Sequence, residues 1–175
     1  MAIFRIVILL VLATGFTLPS VVNAEAVANS ELIRASVIEK IAGFIQWPDS
    51  NQGPMNLCVY ANTSLLPALE TYYASSDTDN NPIKLFTAKN FKSFSECHIL
   101  YLGVGENARL EDILQTIASQ PVLIITEKRD DVSRGAHVDF FVEDNRLRLE
   151  VNRAALSKNN LKASYHLLGA ARIVE

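Results

Sequence analysis

Two cysteines are the most reactive side chains of this chain, and their chemistry depends on the compartment in which the protein works. Cys58 and Cys97 are its only cysteines. Neither belongs to a Cys-x-x-Cys motif, which argues against a thiol–disulfide oxidoreductase. In an oxidising compartment the pair would form a disulfide that closes a loop of about 40 residues. The alternative is a pair of buried free thiols in neighbouring strands.

A glycine-rich turn is the nearest approach to an enzymatic motif. The segment from Gly103 to Ala108 reads Gly-x-Gly-x-x-Ala, follows an apolar run and precedes Glu127 by about 20 residues, as in a dinucleotide-binding turn. However, the predicted strand is not the first of the fold, and the third position is alanine. An exported domain also rarely meets soluble nicotinamide cofactors. We therefore interpret Gly103 and Gly105 as a tight strand-to-helix turn and predict no cofactor.

The other polar side chains form no recognisable catalytic set. The histidines lack the close spacing of zinc or haem ligands, and no Gly-x-Ser-x-Gly elbow is present. Adjacent carboxylates on predicted turns are expected to be solvated caps rather than a general acid and base. The residues weighed are His98, His137, His166, Ser133, Ser157, Asp130, Asp131, Glu143 and Asp144. The sequence thus predicts no metal site and no enzymatic activity.

Two features favour binding instead. Phe44 and Trp47 precede Pro48 at the end of a predicted helix, where an aromatic pair can pack in the core or anchor a partner interface. Lys162 stands just before Ser164, a predicted helix cap, so a cation and free N–H groups could together hold a small anion. The alternative for Lys162 is a solvated side chain.

The N-terminal 24 residues have the pattern of a secretory signal peptide. Arg5 precedes an apolar run at 6–18, and small residues lead to a cleavage site after Ala24. The run is too short to span a membrane core, so a retained anchor is the less favoured alternative. We expect residues 25–175 to form one exported domain. The formal net charge of −3 argues against nucleic-acid binding, which calls for a clustered basic face.

The positions of apolar residues then predict the elements that must place these side chains. Helices are expected at 30–47, 64–74, 108–119 and 153–158, with a last helix that begins after Ser164 and bears Leu167, Leu168, Ala171 and Ile173. Strands are expected at 55–60, 83–86, 97–102 and 121–126, and an antiparallel hairpin at 138–142 and 147–151. The order predicts a single α/β domain, with a mixed, mostly parallel sheet and helices on both faces.

Five segments resemble the YfiR-like family of periplasmic regulators. The longest, Ile33-Arg-Ala-Ser-Val-Ile-Glu-Lys-Ile-Ala-Gly-Phe-Ile-Gln-Trp-Pro48, is similar to the opening helix and Trp-Pro stop of that family. The others follow in register: Leu57-Cys-Val59, Glu96-Cys-His-Ile-Leu-Tyr-Leu102, Arg146-Leu-Arg-Leu-Glu-Val-Asn152 and Leu167-Leu-Gly-Ala-Ala-Arg-Ile-Val174. The resemblance covers nearly all of residues 25–175.

The resemblance implies a function in signalling rather than catalysis. It implies a repressor that binds the periplasmic domain of an inner-membrane diguanylate cyclase, lowers cyclic di-GMP and restrains biofilm formation. Release would come through an outer-membrane lipoprotein partner or redox stress, and the protein would be a homodimer. Cys58 and Cys97 match the positions of a family disulfide, whereas a second cysteine pair of the best-known member is lacking. The alternative is a periplasmic module that reports a small ligand to a membrane sensor kinase or transporter.

Overall fold

A computed structural model describes residues 22–48, 54–60, 63–75, 83–144 and 146–175. The predicted signal peptide lies almost wholly outside this part of the chain. Residues 77–82, whose sequence Asp-Thr-Asp-Asn-Asn-Pro predicts a turn-rich loop, and Asn145 lie outside it as well. Signal-peptide cleavage after Ala24 therefore stays a prediction. None of the helices within the described ranges is long and apolar enough to cross a membrane.

The helices and strands alternate for most of the chain. The α-helices are α1 (Val22–Gly43), α2 (Leu66–Ser75), α3 (Leu110–Thr116), α4 (Arg153–Lys158) and α5 (Tyr165–Ala170), and 3-10 helices cover Phe91–Glu96, Val104–Arg109 and Val132–Arg134. The strands are β1 (Ile45–Gln46), β2 (Met55–Tyr60), β3 (Ile83–Ala88), β4 (Ile99–Leu102), β5 (Leu123–Thr126), β6 (Val138–Glu143), β7 (Arg146–Asn152), β8 (Lys162–Ala163) and β9 (Arg172–Val174).

Seven of these strands form one mixed sheet in the order β3-β2-β4-β5-β6-β7-β9. The five strands β3, β2, β4, β5 and β6 run parallel to one another. Strands β6 and β7 form the predicted antiparallel hairpin, and β9 runs parallel to β7. The central strands β4 and β5 are buried along their whole length, as expected for parallel strands covered on both faces. The predicted α/β class, with its mostly parallel sheet and hairpin, is confirmed.

Alternate residues of the strands feed two cores. Leu57 and Val59 point toward the core that also contains Ile38 of α1 and Leu69 of α2. The opposite face contributes Cys58, Tyr60 and Leu100 to a second core with Phe94, Leu110 and Ile113. Because successive strand residues point to opposite faces, helices cover both sides of the sheet, as predicted.

The end of the first helix differs from the prediction. Helix α1 begins at Val22 and ends at Gly43, before Pro48 can stop it. Ile45 and Gln46 are extended because they pair antiparallel with Ala163 and Lys162 in a separate two-stranded sheet. The Ser164 N–H also donates to the Phe44 carbonyl over 2.8 Å. Pairing with a distant segment therefore overrides the helical spacing of Phe44 and Ile45.

The last helix is also shorter than predicted. Helix α5 ends at Ala170, and Ile173 lies in β9, opposite Val151 of β7. Cys97 lies just before β4 rather than in it. Residues 91–96, for which the sequence predicts no regular element, form a 3-10 helix.

Two predicted helix starts are confirmed by their caps. The Asn152 side chain accepts the Ala155 N–H over 2.8 Å, and the Ser164 hydroxyl accepts the Leu167 N–H over 3.4 Å. Each side chain satisfies one of the free N–H groups at the start of its helix.

Candidate functional site

The pairing of β1 with β8 brings together two sets of residues that the sequence analysis treated separately. Gln46 lies opposite Lys162, and the Phe44 carbonyl accepts the Ser164 N–H. The candidate interface and the candidate anion-binding residues therefore share one surface. We name it the β1–β8 surface, and it consists of Phe44, Gln46, Trp47, Pro48, Lys162, Ser164, Tyr165 and His166.

Exposed aromatic side chains dominate one end of the β1–β8 surface. Phe44 is 40% exposed and Tyr165 is 76% exposed. The His166 ring is near both, with its centroid 6.0 Å from that of Phe44 and 3.8 Å from that of Tyr165. Contiguous exposed apolar groups of this kind often mark a binding surface. The sequence analysis did not include Tyr165 and His166 among the interface candidates. Tyr165 is an aromatic residue outside the apolar positions of the predicted last helix, and this could have indicated an exposed ring.

Trp47 belongs partly to the core and partly to the surface. Its side chain is half-buried and packs against the core on the α1 side of the sheet. The indole Nε1–H donates to the Ala42 carbonyl over 3.4 Å. The indole also meets the His98 ring edge-on, with 6.2 Å between ring centroids. Trp47 is therefore held in a fixed position, as is common for an interface anchor.

His98 holds a structural hydrogen bond. The ring Nδ1 of His98 accepts the backbone N–H of Asn56 over 3.0 Å. The backbone N–H of His98 donates to the Asn56 carbonyl over 2.9 Å. Burial lowers the pKa of His98, which favours the neutral ring that this acceptor role requires.

The other two histidines have separate partners. His137 is fully buried, and burial lowers its pKa to about 4. Its Nδ1 accepts the Ile124 N–H over 2.9 Å, so the proton lies on Nε2, 3.1 Å from the Asn159 amide oxygen. His166 is exposed beside Phe44. Among the described residues, no group of three or more His, Cys, Asp or Glu side chains could hold a metal ion.

Cys58 and Cys97 form a disulfide between β2 and the segment that leads into β4. Both cysteines are buried, with 4% and 5% exposure. The alternative of two free thiols does not apply to this structure.

The anion-binding hypothesis for Lys162 and Ser164 stays a prediction. The Ser164 hydroxyl is already used as the cap of α5, which has only six residues. Lys162 is exposed on β8.

The residues of the candidate dinucleotide motif have structural explanations. A Cβ atom on Gly103 would lie 2.9 Å from the Thr63 Cβ atom, so the close approach of these two segments requires glycine. Gly105 faces open space. The Glu127 carboxylate accepts the Arg34 Nε–H over 2.8 Å and forms an ion pair with the same guanidinium, which ties α1 to the end of β5. This geometry favours the turn interpretation.

One of the predicted solvated caps is wrong. Asp131 is fully buried, and it accepts the Arg134 Nη1–H over 3.0 Å. Asp130 and Asp144 are exposed at turns, and Glu143 pairs with Arg129 over 2.8 Å. Asp131 is buried because the 3-10 helix at Val132–Arg134 packs onto the sheet, where the Asn152 amide donates to the Val132 carbonyl over 2.8 Å.

A row of polar side chains beneath this 3-10 helix was missed by the sequence analysis. Register places Thr126, Asp139, Glu150 and Arg172 side by side on β5, β6, β7 and β9. Asp139 is fully buried, and neither of its carboxylate oxygens has a side-chain hydrogen-bond partner among the described residues. Burial, and secondarily the Glu150 carboxylate, raise the pKa of Asp139 to about 7.

A cavity of about 520 Å³ opens next to Phe44, at the amino ends of β2 and β3. Its lining combines Glu39, Lys40, Ala42, Gly43, Phe44, Met55, Tyr72 and Ile83. The Tyr72 hydroxyl donates to the Glu39 carboxylate, and this bond raises the pKa of Tyr72 to about 12. The cavity therefore places an acid and a lysine beside an apolar wall.

Comparisons with known proteins give a family and a fold. A family model described as YfiR/HmsC-like matches residues 31–172. The fold is similar to that of a solved ABC domain from Streptococcus pneumoniae in complex with L-Trp, with a TM-score of 0.56, 6% identity and 82% of this chain covered. It is also similar to a conserved domain protein from Vibrio cholerae O1 biovar El Tor, with a TM-score of 0.55, 11% identity and 83% of this chain covered. This chain spans 60% of the length of each of these two proteins.

Proposed function

The chain belongs to the YfiR/HmsC-like family, and we propose from this that it is a non-enzymatic periplasmic regulator of diguanylate cyclase signalling. In this proposal it binds the periplasmic domain of an inner-membrane diguanylate cyclase and holds the cyclase inactive. The family match over 31–172 carries the proposal, because it includes every segment that builds the two cores and the β1–β8 surface. Export through the predicted signal peptide, a homodimer and release by an outer-membrane lipoprotein are parts of the same proposal.

The β1–β8 surface is the proposed contact with the cyclase. Its exposed aromatic side chains, Phe44 and Tyr165, are of types that are enriched at protein interfaces. The surface joins the end of α1 to the start of α5, so two distant segments of the chain present one continuous face.

Cyclic di-GMP in a deletion strain tests this proposal. Loss of the gene should raise cyclic di-GMP, and expression of the wild-type protein should restore the low level. Phe44→Glu should fail to restore it, because a charge replaces an exposed aromatic ring of the contact. Phe86→Glu is the matched control, since Phe86 is 47% exposed on the edge strand β3. Unchanged cyclic di-GMP in the deletion strain, or equal failure of both variants, would contradict the proposal.

A second pair of variants tests whether the two segments must stay together. Ser164→Ala removes only the cap hydroxyl, whereas Ser164→Pro also removes the N–H that donates to Phe44. The backbone φ of −65° at Ser164 suits proline, and Ala163 before it is extended. We expect the alanine variant to repress the cyclase and the proline variant to lose repression. Equal repression by both would argue against this contact surface.

A second candidate function is a small-ligand module that reports to a membrane sensor kinase or transporter. The likeness in fold to a protein in complex with L-Trp and the cavity beside Phe44 favour it. The test is thermal unfolding of the purified protein with L-tryptophan, other amino acids, nucleotides and inorganic phosphate. A ligand that binds the folded state raises the melting temperature in proportion to the logarithm of its concentration. No shift with any of these compounds at saturating concentration would count against this candidate.

A further inference from the structure

Strand β7 has a full strand partner on one side and a partial one on the other. On one side, β6 pairs with residues 146–151. On the opposite side, β9 pairs only with Glu150, Val151 and Asn152. Within the described part of the chain, residues 146–149 therefore have no strand partner on the side away from β6. We name residues 146–149 the β7 half-edge.

The hydrogen bonds of the hairpin determine which backbone groups the β7 half-edge offers. The Asn152 N–H donates to the His137 carbonyl over 2.9 Å, so the backbone groups of Asn152 face β6. In an antiparallel pair, residues whose backbone groups face the partner alternate with residues whose groups face away. The backbone groups of Arg148 therefore face β6, and those of Leu147 face away from it. Leu147 thus offers one N–H donor and one carbonyl acceptor to an added strand.

One face of this part of the sheet has an excess of positive charge. Four arginines with exposed side chains share it with two carboxylates. Glu143 pairs with Arg129 over 2.8 Å and with Arg148 over 3.6 Å, and Glu150 pairs with Arg172. A cavity of about 300 Å³ opens between three of these arginines and the β7 half-edge. The four arginines are Arg129, Arg146, Arg148 and Arg172.

The opposite face of the β7 half-edge is apolar. Leu147 lies opposite Val142 in the hairpin, and the two residues are 36% and 63% exposed. Both line a second cavity of about 260 Å³, together with Phe140 and with Val104, which is 62% exposed. Because alternate residues of a strand point to opposite faces, an added strand would have one set of side chains beside these apolar groups and the other set beside the arginines.

We propose that the β7 half-edge binds an extended segment of a partner protein in which acidic residues alternate with apolar residues. The backbone of this segment pairs with Leu147, as in other cases where a peptide adds a strand to a sheet. Its acidic side chains meet Arg146 and Arg148, and its apolar side chains cover Val142. A second copy of this chain fits less well, because two paired half-edges would bring the arginines of both copies together.

This contact is separate from the β1–β8 surface and does not rest on the proposed function. Trp47 of the β1–β8 surface meets His98, which precedes the amino end of β4. Leu147 lies opposite Val142, near the carboxyl end of β6. Since β4 and β6 run in the same direction, the two surfaces lie toward opposite ends of the sheet.

A synthetic peptide tests the proposal on the purified protein. The probe is a fluorescein-labelled hexapeptide in which glutamate alternates with valine, and fluorescence anisotropy measures its binding. We expect binding that weakens as the salt concentration rises, because exposed ion pairs are screened. The same peptide with lysine in place of glutamate should not bind, and neither should the glutamate peptide with N-methylated amides. By NMR, hydrogen exchange of the Leu147 amide should slow when the glutamate peptide is added.

Two pairs of variants separate backbone pairing from charge. Leu147→Pro removes the N–H that faces away from β6, a position at which a strand tolerates proline, whereas Leu147→Ala keeps this N–H. We expect the proline variant to lose binding and the alanine variant to retain it. The Arg146→Gln, Arg148→Gln double variant should bind about tenfold more weakly. Lys158→Gln is its matched control, because Lys158 is exposed on α4, and it should bind like the wild type.

Several results would overturn the proposal. These are equal binding of the lysine or N-methylated peptide, full binding by Leu147→Pro, and no binding of the glutamate peptide at millimolar concentration. In the last case the arginines only protect an edge from aggregation. A wild-type dimer that Leu147→Pro converts to a monomer in sedimentation would assign the β7 half-edge to a second copy and refute the proposal. If circular dichroism shows that the proline variant is unfolded, the arginine double variant and the exchange of the Leu147 amide decide.

Discussion

Replacement of the buried Asp139 by asparagine should stabilise this protein at neutral and alkaline pH. Asp139 is fully buried on β6 beside Glu150, and its carboxylate oxygens lack side-chain hydrogen-bond partners among the described residues. Burial first, and Glu150 second, raise the pKa of Asp139 from 3.8 to about 7. The native state therefore binds the proton more tightly than the unfolded state does.

The sign and size of the effect follow from proton linkage. Between pH 3.8 and about 7 the native protein holds more protons at Asp139 than the unfolded chain, so the free energy of unfolding falls as the pH rises. Each unit of difference corresponds to about 1.36 kcal/mol, so the fall reaches at most about 4 kcal/mol and ends above the native pKa. Asp139→Asn is neutral at every pH, and its unfolding free energy lacks this fall.

Urea unfolding of both proteins across the range from acid to alkaline pH measures this difference. We expect nearly equal stability in acid and an advantage for Asp139→Asn that grows through the window and becomes constant above it. Asp144→Asn is the matched control, because Asp144 is exposed at the hairpin turn with a φ of 50°, which asparagine tolerates. Its stability should follow that of the wild type at every pH. A pH-independent difference for Asp139→Asn, or NMR titration of Asp139 near 3.8, would refute the reasoning.

Two further predictions concern single contacts at the carboxyl end of the sheet. Arg34→Ala leaves the Glu127 carboxylate, whose side chain is 5% exposed, without its cation. We expect the free energy of unfolding in urea to fall by about 2–3 kcal/mol. This is less than the roughly 3–5 kcal/mol lost when a fully buried pair is broken, because Arg34 is partly exposed. Addition of Glu127→Gln should recover part of this loss, and a double variant less stable than Arg34→Ala would contradict it. Gly103→Ala forces a methyl group against Thr63 and should cost about 1–3 kcal/mol. Gly105→Ala, in open space, should stay within about 0.5 kcal/mol of wild type in the same measurement.

The main sheet is predictable from sequence because its strands carry their own pattern. Strands β4 and β5 read as short apolar runs since both of their faces are buried. The hairpin alternates in its sequence, although the burial of β6 and β7 changes along the strands and not between their two faces. The caps at Asn152 and Ser164 are equally local, because each side chain bonds to an N–H three residues ahead. Short-range interactions determine these elements, so the local sequence is sufficient to predict them.

The short strands β1, β8 and β9 could not be predicted in this way. Ile45 continues the helical spacing of α1, and only its pairing with Ala163 makes it extended. Ile173 fits the spacing of α5 equally well, and its contact with Val151 of β7 decides for a strand. Strands of two or three residues have too few positions to show a period, so partners distant in sequence determine them.

The same limit explains why the burial and the raised pKa of Asp139 could not be predicted from the sequence. Asp139 alternates with Val138 and Phe140, which predicts an outward, solvated side chain. Its face is instead closed by the 3-10 helix at Val132–Arg134, and β7 and β9 add Glu150 and Arg172 in register. The positive charge of the row comes from Arg172 in β9, a strand that the sequence analysis predicted to be part of the last helix. Arg172 forms an ion pair with Glu150, whereas burial and the Glu150 carboxylate raise the pKa of Asp139 to about 7, so strands that are distant in the sequence determine the protonation of β6.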